Sequence, residues 1–228
     1  MSTVENETRS TSKNATVAAG LPLALLETVR SHDLPSEVLE AEDLTASLPR
    51  RFGLSDVVLT QIRRYEGAKG SGRRVPVSEL KDLLRLVLRR PDAPVILLET
   101  GRRVARNHFE GQISRLVRAS RVLPDTFFLI PVRRAIRRLL RSLAGGSAVQ
   151  VRGKPVDITI NDSLTGTLDT TACLLYTGAF EETVRIYGGR PRRIIHHECR
   201  ARGDAICKWL VEPDAEARQR ARSDTSTD

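Results

Sequence analysis

Six residues near the C-terminal end carry side chains that bind a borderline-soft cation. Cys199 and Cys207 flank a turn-like Ala201-Arg202-Gly203-Asp204, His196, His197 and Glu198 lead into the first cysteine, and Cys173 lies upstream in TTACLLYTG. Thiolate, imidazole and carboxylate are the donors that zinc takes. These three cysteines are all that the chain contains. The start, MSTVENETRSTSKNATV, has no basic segment followed by an apolar core. That predicts a cytoplasmic protein with reduced thiols, which favours thiolate ligands over disulfides. The plainer reading is three buried cysteines acting as small core residues.

Elements must position these donors, and the hydrophobic period changes along the chain. Residues 1–17 are polar and read as a disordered tail. Residues 18–91 read as a helical N-terminal region. LPLALLETVRSH has apolar residues at helical spacing, and Ser55 can cap a helix carrying Val58, Leu59, Ile62 and Tyr65. GAKGSGRR reads as a flexible loop. SELKDLLRLVLRR then aligns Leu80, Leu83, Leu84, Val87 and Leu88, and Pro91 ends it.

Residues 92–212 change character. APVILLETGRRVARNHFEGQISRLVRAS predicts a long helix, and TFFLIPVRRAIRRLLRSLAGG a second, amphipathic one that stops at Gly145-Gly146. SAVQVRG and PVDITINDS then alternate with period two. TTACLLYTGAFEETVRIYGG leads into another helix, and RRIIHHECRARG with AICKWLVE forms a hairpin. The order predicts an α+β fold: a helical N-terminal region, then an antiparallel sheet with helices packed on one face. Residues 213–228 read as a polar tail.

The net charge of +9 is unevenly placed. Between Arg102 and Arg152 there are twelve arginines against two acids, Glu110 and Asp125. Such a stretch suits a nucleic acid, an anionic surface or an acidic partner, or is simply a solvated helix face. No apolar run reaches the length of a membrane span. No dinucleotide fingerprint or phosphate-binding loop is present, and no Ser/His/Asp set or carboxylate pair stands out. These absences point away from an enzyme.

The pattern Cys199-x3-Gly203-Asp204-x2-Cys207-x-Trp209, with a strand running on into LVE, resembles the signature of the 4-vinyl-reductase-type domain. That small-molecule-binding family is related to the ligand-binding domains of bacterial phenol and toluene sensors and to subunits of the TRAPP trafficking complex. CLLYTGAFEETVRIYGG and the glycine-containing LLETGRRVA also fit, and the resemblance covers about residues 92–212. In the aromatic sensors a cysteine before the last helix, two cysteines of the final hairpin and an acid hold zinc. The match falls on Cys173, Cys199 and Cys207, with His196 where the acid would be. Cys₃His is a normal structural zinc set, closed to a reactive water. His197 and Glu198 compete for the fourth place. Strict strand alternation puts His197 on the side of Cys199; the resemblance favours His196 through a bulge.

The resemblance also implies an apolar ligand pocket between helices and sheet, with Phe109, Phe127, Phe128, Leu129, Tyr176 and Phe180 as candidate lining or as core. The phenol sensors carry a tryptophan at the strand start where this chain has AGGSAVQV, which counts against phenol itself. The implied function is a non-enzymatic, zinc-containing sensor or scaffold domain with regulatory, signalling use. Its implied partners are a small hydrophobic ligand, a second copy in a homodimer and a further protein. The alternative is a DNA-binding regulator. SLPRRFGLSDVVLTQIRRY faintly resembles a helix-turn-helix ending in Arg63-Arg64, although Pro49 falls inside its first helix.

Overall fold

A computed structural model describes residues 15–34, 55–110, 125–143, 149–152, 156–188 and 192–212. The expected tails at 1–14 and 213–228 lie outside the described residues, as does 35–54, which holds the first half of the helix-turn-helix reading. Thr16 and Val17, expected within the unstructured start, instead belong to strand β1 (Thr16–Ala18). It pairs antiparallel with β2 (Arg74–Pro76). Val17 and Val75 face each other across this pair, and both are buried, so the short ribbon is held by its own apolar contact.

Helix α1 (Gly20–Asp33) buries Leu21, Leu25 and Val29 at helical spacing. Helix α2 (Asp56–Gly70) begins at Ser55, whose Oγ accepts from the Val58 backbone N–H at 3.4 Å, the cap the sequence predicts. GAKGSGRR, read from the sequence as a flexible loop, instead begins inside this helix. Burial of Ala68 carries the helix on to Gly70, and the chain reverses only at Ser71-Gly72, where Gly72 has φ +67°. Helix α3 (Val77–Leu88) buries Leu80, Leu84 and Val87, with Leu83 and Leu88 half-buried beside them.

Helices α4 (Ala93–Phe109), α5 (Asp125–Leu143) and α6 (Leu174–Gly188) follow. α4 ends well short of the predicted helix, whose remainder at 111–120 lies outside the described residues. Strands β3 (Val149–Arg152), β4 (Asp157–Ile160), β5 (Ile194–Glu198) and β6 (Cys207–Val211) form one antiparallel sheet in the order β3-β4-β6-β5. Val151, Ile158, Ile160, Trp209 and Val211 are buried on the face that α5 and α6 cover. The fold is therefore α+β, with helices on one face of an antiparallel sheet. One hydrophobic cluster runs from Val17 to Val211, so buried residues on both sides of position 91 share a single core.

α4 and α6 approach unusually closely because glycines meet backbone at the crossing. A Cβ on Gly101 would lie 2.0 Å from the Leu175 carbonyl oxygen, and one on Gly178 would lie 2.0 Å from that of Leu98. This crossing fixes the start of α6, and with it Cys173, against the rest of the molecule. Among the described residues no helix is long and apolar enough to cross a membrane.

Candidate metal centre

Cys173 sits in a 3₁₀ turn (Thr171–Cys173) that runs directly into α6. Cys207 opens β6, and Cys199 follows β5 at the start of a second 3₁₀ turn (Arg200–Arg202). The reversal between these two cysteines is clamped at several points. The Cys199 carbonyl accepts from the backbone N–H groups of Arg202 at 2.8 Å and Asp204 at 3.2 Å. The Asp204 carboxylate accepts from the Cys199 N–H at 2.6 Å. Gly203 closes the turn at φ +98°, a conformation that an L side chain resists.

The strand leading in carries the feature that selects the histidine. Register slips between His196 and Glu198, so that His196 opposes Trp209 and Glu198 opposes Lys208. His197 is the extra residue of this bulge. The Arg202 guanidinium holds the bulge by donating to the His197 carbonyl at 2.7 Å. Strict alternation fails here, and His196 turns toward the cysteines. Its ring lies flat on Trp209, with centroids 4.5 Å apart and planes within 10°. Trp209 is in turn fixed by its indole N–H donating to Thr177 Oγ1 at 3.0 Å.

The three Sγ atoms and a ring nitrogen of His196 all lie within 4.8 Å of one another, and the three cysteines are fully buried. Cys173 Sγ and Cys199 Sγ stand 3.9 Å apart. A tetrahedral set at a metal–sulfur distance of about 2.3 Å has edges of about 3.8 Å, so the spacing fits a metal. His196 Nε2 is buried and makes no hydrogen bond of sound geometry among the described residues, with only the Cys207 sulfur beside it. Leaving such a group unsatisfied costs about 1–3 kcal/mol, and a cation at the centre supplies the missing partner. The Cys₃His cluster could hold a metal ion. The rival donors point elsewhere. The His197 side chain is 59% exposed, and Glu198 lies 3.9 Å from Lys208 Nζ.

Charge in the cluster is shared unequally. The hydrogen bond from the Cys173 thiol, then the nearby His196 ring and the Arg200 backbone N–H, lower the pKa of Cys207. Cys173 is raised because its thiol donates to Cys207 and is buried. Within this pair Cys207 therefore carries the thiolate and Cys173 the thiol. A loop between β4 and Cys173, not singled out in the sequence, seals the centre. Thr165 Oγ1 lies 3.1 Å from Cys173 Sγ and 3.0 Å from Ser163 Oγ. A Cβ on Gly166 would come within 2.7 Å of Cys207 Sγ. The polar run NDSLTGT between a strand and a cysteine was the available signal.

The pocket candidates land differently. Tyr176 and Phe180 are fully buried and pack on Trp209, with ring centroids 5.5 and 5.4 Å away. Phe109 is fully buried edge-on against Tyr187. All three fill core, and none lines the apolar-walled cavity described below. The side chains of Phe127, Phe128 and Leu129 lie outside the described residues.

The candidate nucleic-acid contacts are divided. Arg63 is exposed, but Arg64 donates twice to the Glu79 carboxylate, at 2.7 and 3.2 Å. Along α5, Val132, Ile136, Leu139, Leu140 and Leu143 are buried, whereas Arg134, Arg137, Arg138 and Arg141 are exposed.

No protein-family model matches this chain, and no curated protein matches it by sequence. Among solved structures it is similar to an H-NOX protein from S. oneidensis in the Fe(II)NO ligation state. That protein is 11% identical, with 82% of this chain and 87% of that chain covered, at a TM-score of 0.31. An overlap that low does not equate the two folds.

Proposed function

We propose that this chain is a non-enzymatic binding domain of the 4-vinyl-reductase type, stapled by one structural zinc and used to sense a small hydrophobic molecule. Cys173, His196, Cys199 and Cys207 would hold the metal. The observation that carries the reading is the convergence of these four donors, with a buried His196 nitrogen that makes no hydrogen bond of sound geometry, from a hairpin and a helix start far apart in sequence. Bound there, zinc would tie the β5–β6 hairpin to α6. Four protein donors leave no position for a reactive water, which favours structure over hydrolysis. The sheet-and-helix arrangement supports the same family reading, as does the bulge that selects His196.

A ligand that binds only the native state raises its melting temperature by mass action. A thermal-shift screen of neutral aromatics, fatty acids and isoprenoids on the zinc-loaded protein is therefore expected to yield at least one saturable hit. A zinc-loaded protein that responds to none of these classes would leave a scaffold and remove the sensor. Size-exclusion chromatography with light scattering checks the accompanying proposal of a homodimer.

A further inference from the structure

Away from the candidate metal centre, a cavity of about 420 Å³ opens where β1, the start of β2, the start of α1 and the C-terminal parts of α2, α4 and α5 meet. Its apolar wall is formed by Leu21, Val104 and Leu143, and its rim by Lys69, Arg73 and Arg74. No acidic side chain lines it. Three cations gathered at one opening repel each other unless an anion joins them. Among the described residues none of the three meets a carboxylate. Arg73 donates through Nε to Ser71 Oγ, and Arg74 to the side chain and carbonyl of Thr16. These neutral acceptors orient the guanidinium groups and leave their charge uncompensated.

The remaining wall has the same sign. The first turn of α1 borders the cavity, carries no acidic residue and has no side-chain cap, so the positive end of its dipole adds to the potential. Asn107 and His108 complete the end of α4. A volume of about 420 Å³ accommodates about fourteen water-sized groups at about 30 Å³ each. It also lies within the range of about 300–1,000 Å³ typical of ligand sites.

We infer that this cavity binds an organic anion with an apolar body of about a dozen heavy atoms, its carboxylate or phosphate head on Lys69, Arg73 and Arg74 and its body against Leu21, Val104 and Leu143. The inference rests on the ligand-binding part of the proposed function and not on zinc. It differs from that part by requiring a charged head and by locating the site outside the aromatic core.

Isothermal titration of the full chain with dodecanoate, dodecyl phosphate and the neutral dodecan-1-ol tests it. Below their aggregation concentrations, the two anions are expected to bind at one site per chain, at least about tenfold more tightly than the alcohol. Lys69→Gln and Arg73→Gln, at exposed positions, should each weaken the anions by about tenfold, the scale of one lost hydrogen bond to a charged group, and leave the alcohol unchanged. Circular dichroism confirms that the variants fold. Val104→Met, which narrows the cavity, should weaken all three ligands. Equal affinity for dodecanoate and dodecan-1-ol, or anion binding indifferent to Lys69→Gln and Arg73→Gln, would overturn the inference while leaving the sensor reading intact. Absence of binding by all three ligands overturns the inference as well, and only failure of the broader screen counts against the sensor.

Discussion

Four side chains, Cys173, His196, Cys199 and Cys207, converge at the candidate centre, and mutation distinguishes them from their neighbours His197 and Glu198. Cys207→Ser removes one of the four donors, the one the Cys173 thiol holds as thiolate, and is expected to abolish metal retention. The melting temperature should fall by about 10 °C or more, since about 1 kcal/mol moves it by about 2–4 °C in a chain of this size. His197→Gln and Glu198→Gln should leave metal content unchanged, because these side chains face solvent and Lys208 respectively. Elemental analysis of the purified variants checks all three. The three cysteines were legible in the sequence from their type and spacing. The choice of His196 was not legible from periodicity, because one extra residue in β5 inverts the alternation for everything before it. It came from a family resemblance, and the stack on Trp209 gives its physical basis.

Among elements, the α4–α6 crossing positions Cys173 of the candidate metal centre. Gly101→Ala places a methyl group against the Leu175 carbonyl, where backbone must shift to admit it. Overpacking of this kind costs about 1–3 kcal/mol, and a collision with backbone puts this case at the upper end. Urea denaturation should show a lower midpoint for Gly101→Ala and for Gly178→Ala, whereas Gly70→Ala, with open space around its Cβ, should change little. Helix identities were readable from apolar spacing, and α3 and α5 bury the stripes that the sequence marks. Ends were less readable. Gly67 and Gly70 suggest a loop, yet tertiary burial of Ala68 keeps α2 helical past them. β1 was hidden because three residues carry too little pattern, and its partner Val75 is fifty-eight positions away.

For the whole molecule, charge and core decide what partners the chain can take. The exposed arginines of α5 form a generic basic face, and Arg64 of the helix-turn-helix reading is already held by Glu79. Binding to a short DNA duplex is expected to be weak and sequence-independent. It should fall by about a thousandfold between 50 and 200 mM salt if about six phosphates are neutralised. Fluorescence anisotropy across that range checks this, with Arg134→Gln and Arg138→Gln reducing the low-salt signal. A complex that persists at physiological salt and is lost on Arg63→Ala would favour the DNA-binding alternative. The pocket was the least legible feature. Aromatic residues suggest a lining from sequence, but Phe109, Tyr176 and Phe180 close on Trp209 and Tyr187 as core. An open, partly apolar cavity lies instead among residues brought together from six separate elements.

One zinc ion is proposed to staple the C-terminal hairpin to α6. Zinc in the chain purified without chelator or added metal, measured by inductively coupled plasma mass spectrometry against protein concentration, tests it most directly. One zinc per chain is expected near neutral pH, with release as pH falls, because protons compete with the metal for thiolate and imidazole. A folded, monodisperse preparation with well under one zinc per chain, or with zinc undiminished in Cys207→Ser, would contradict it.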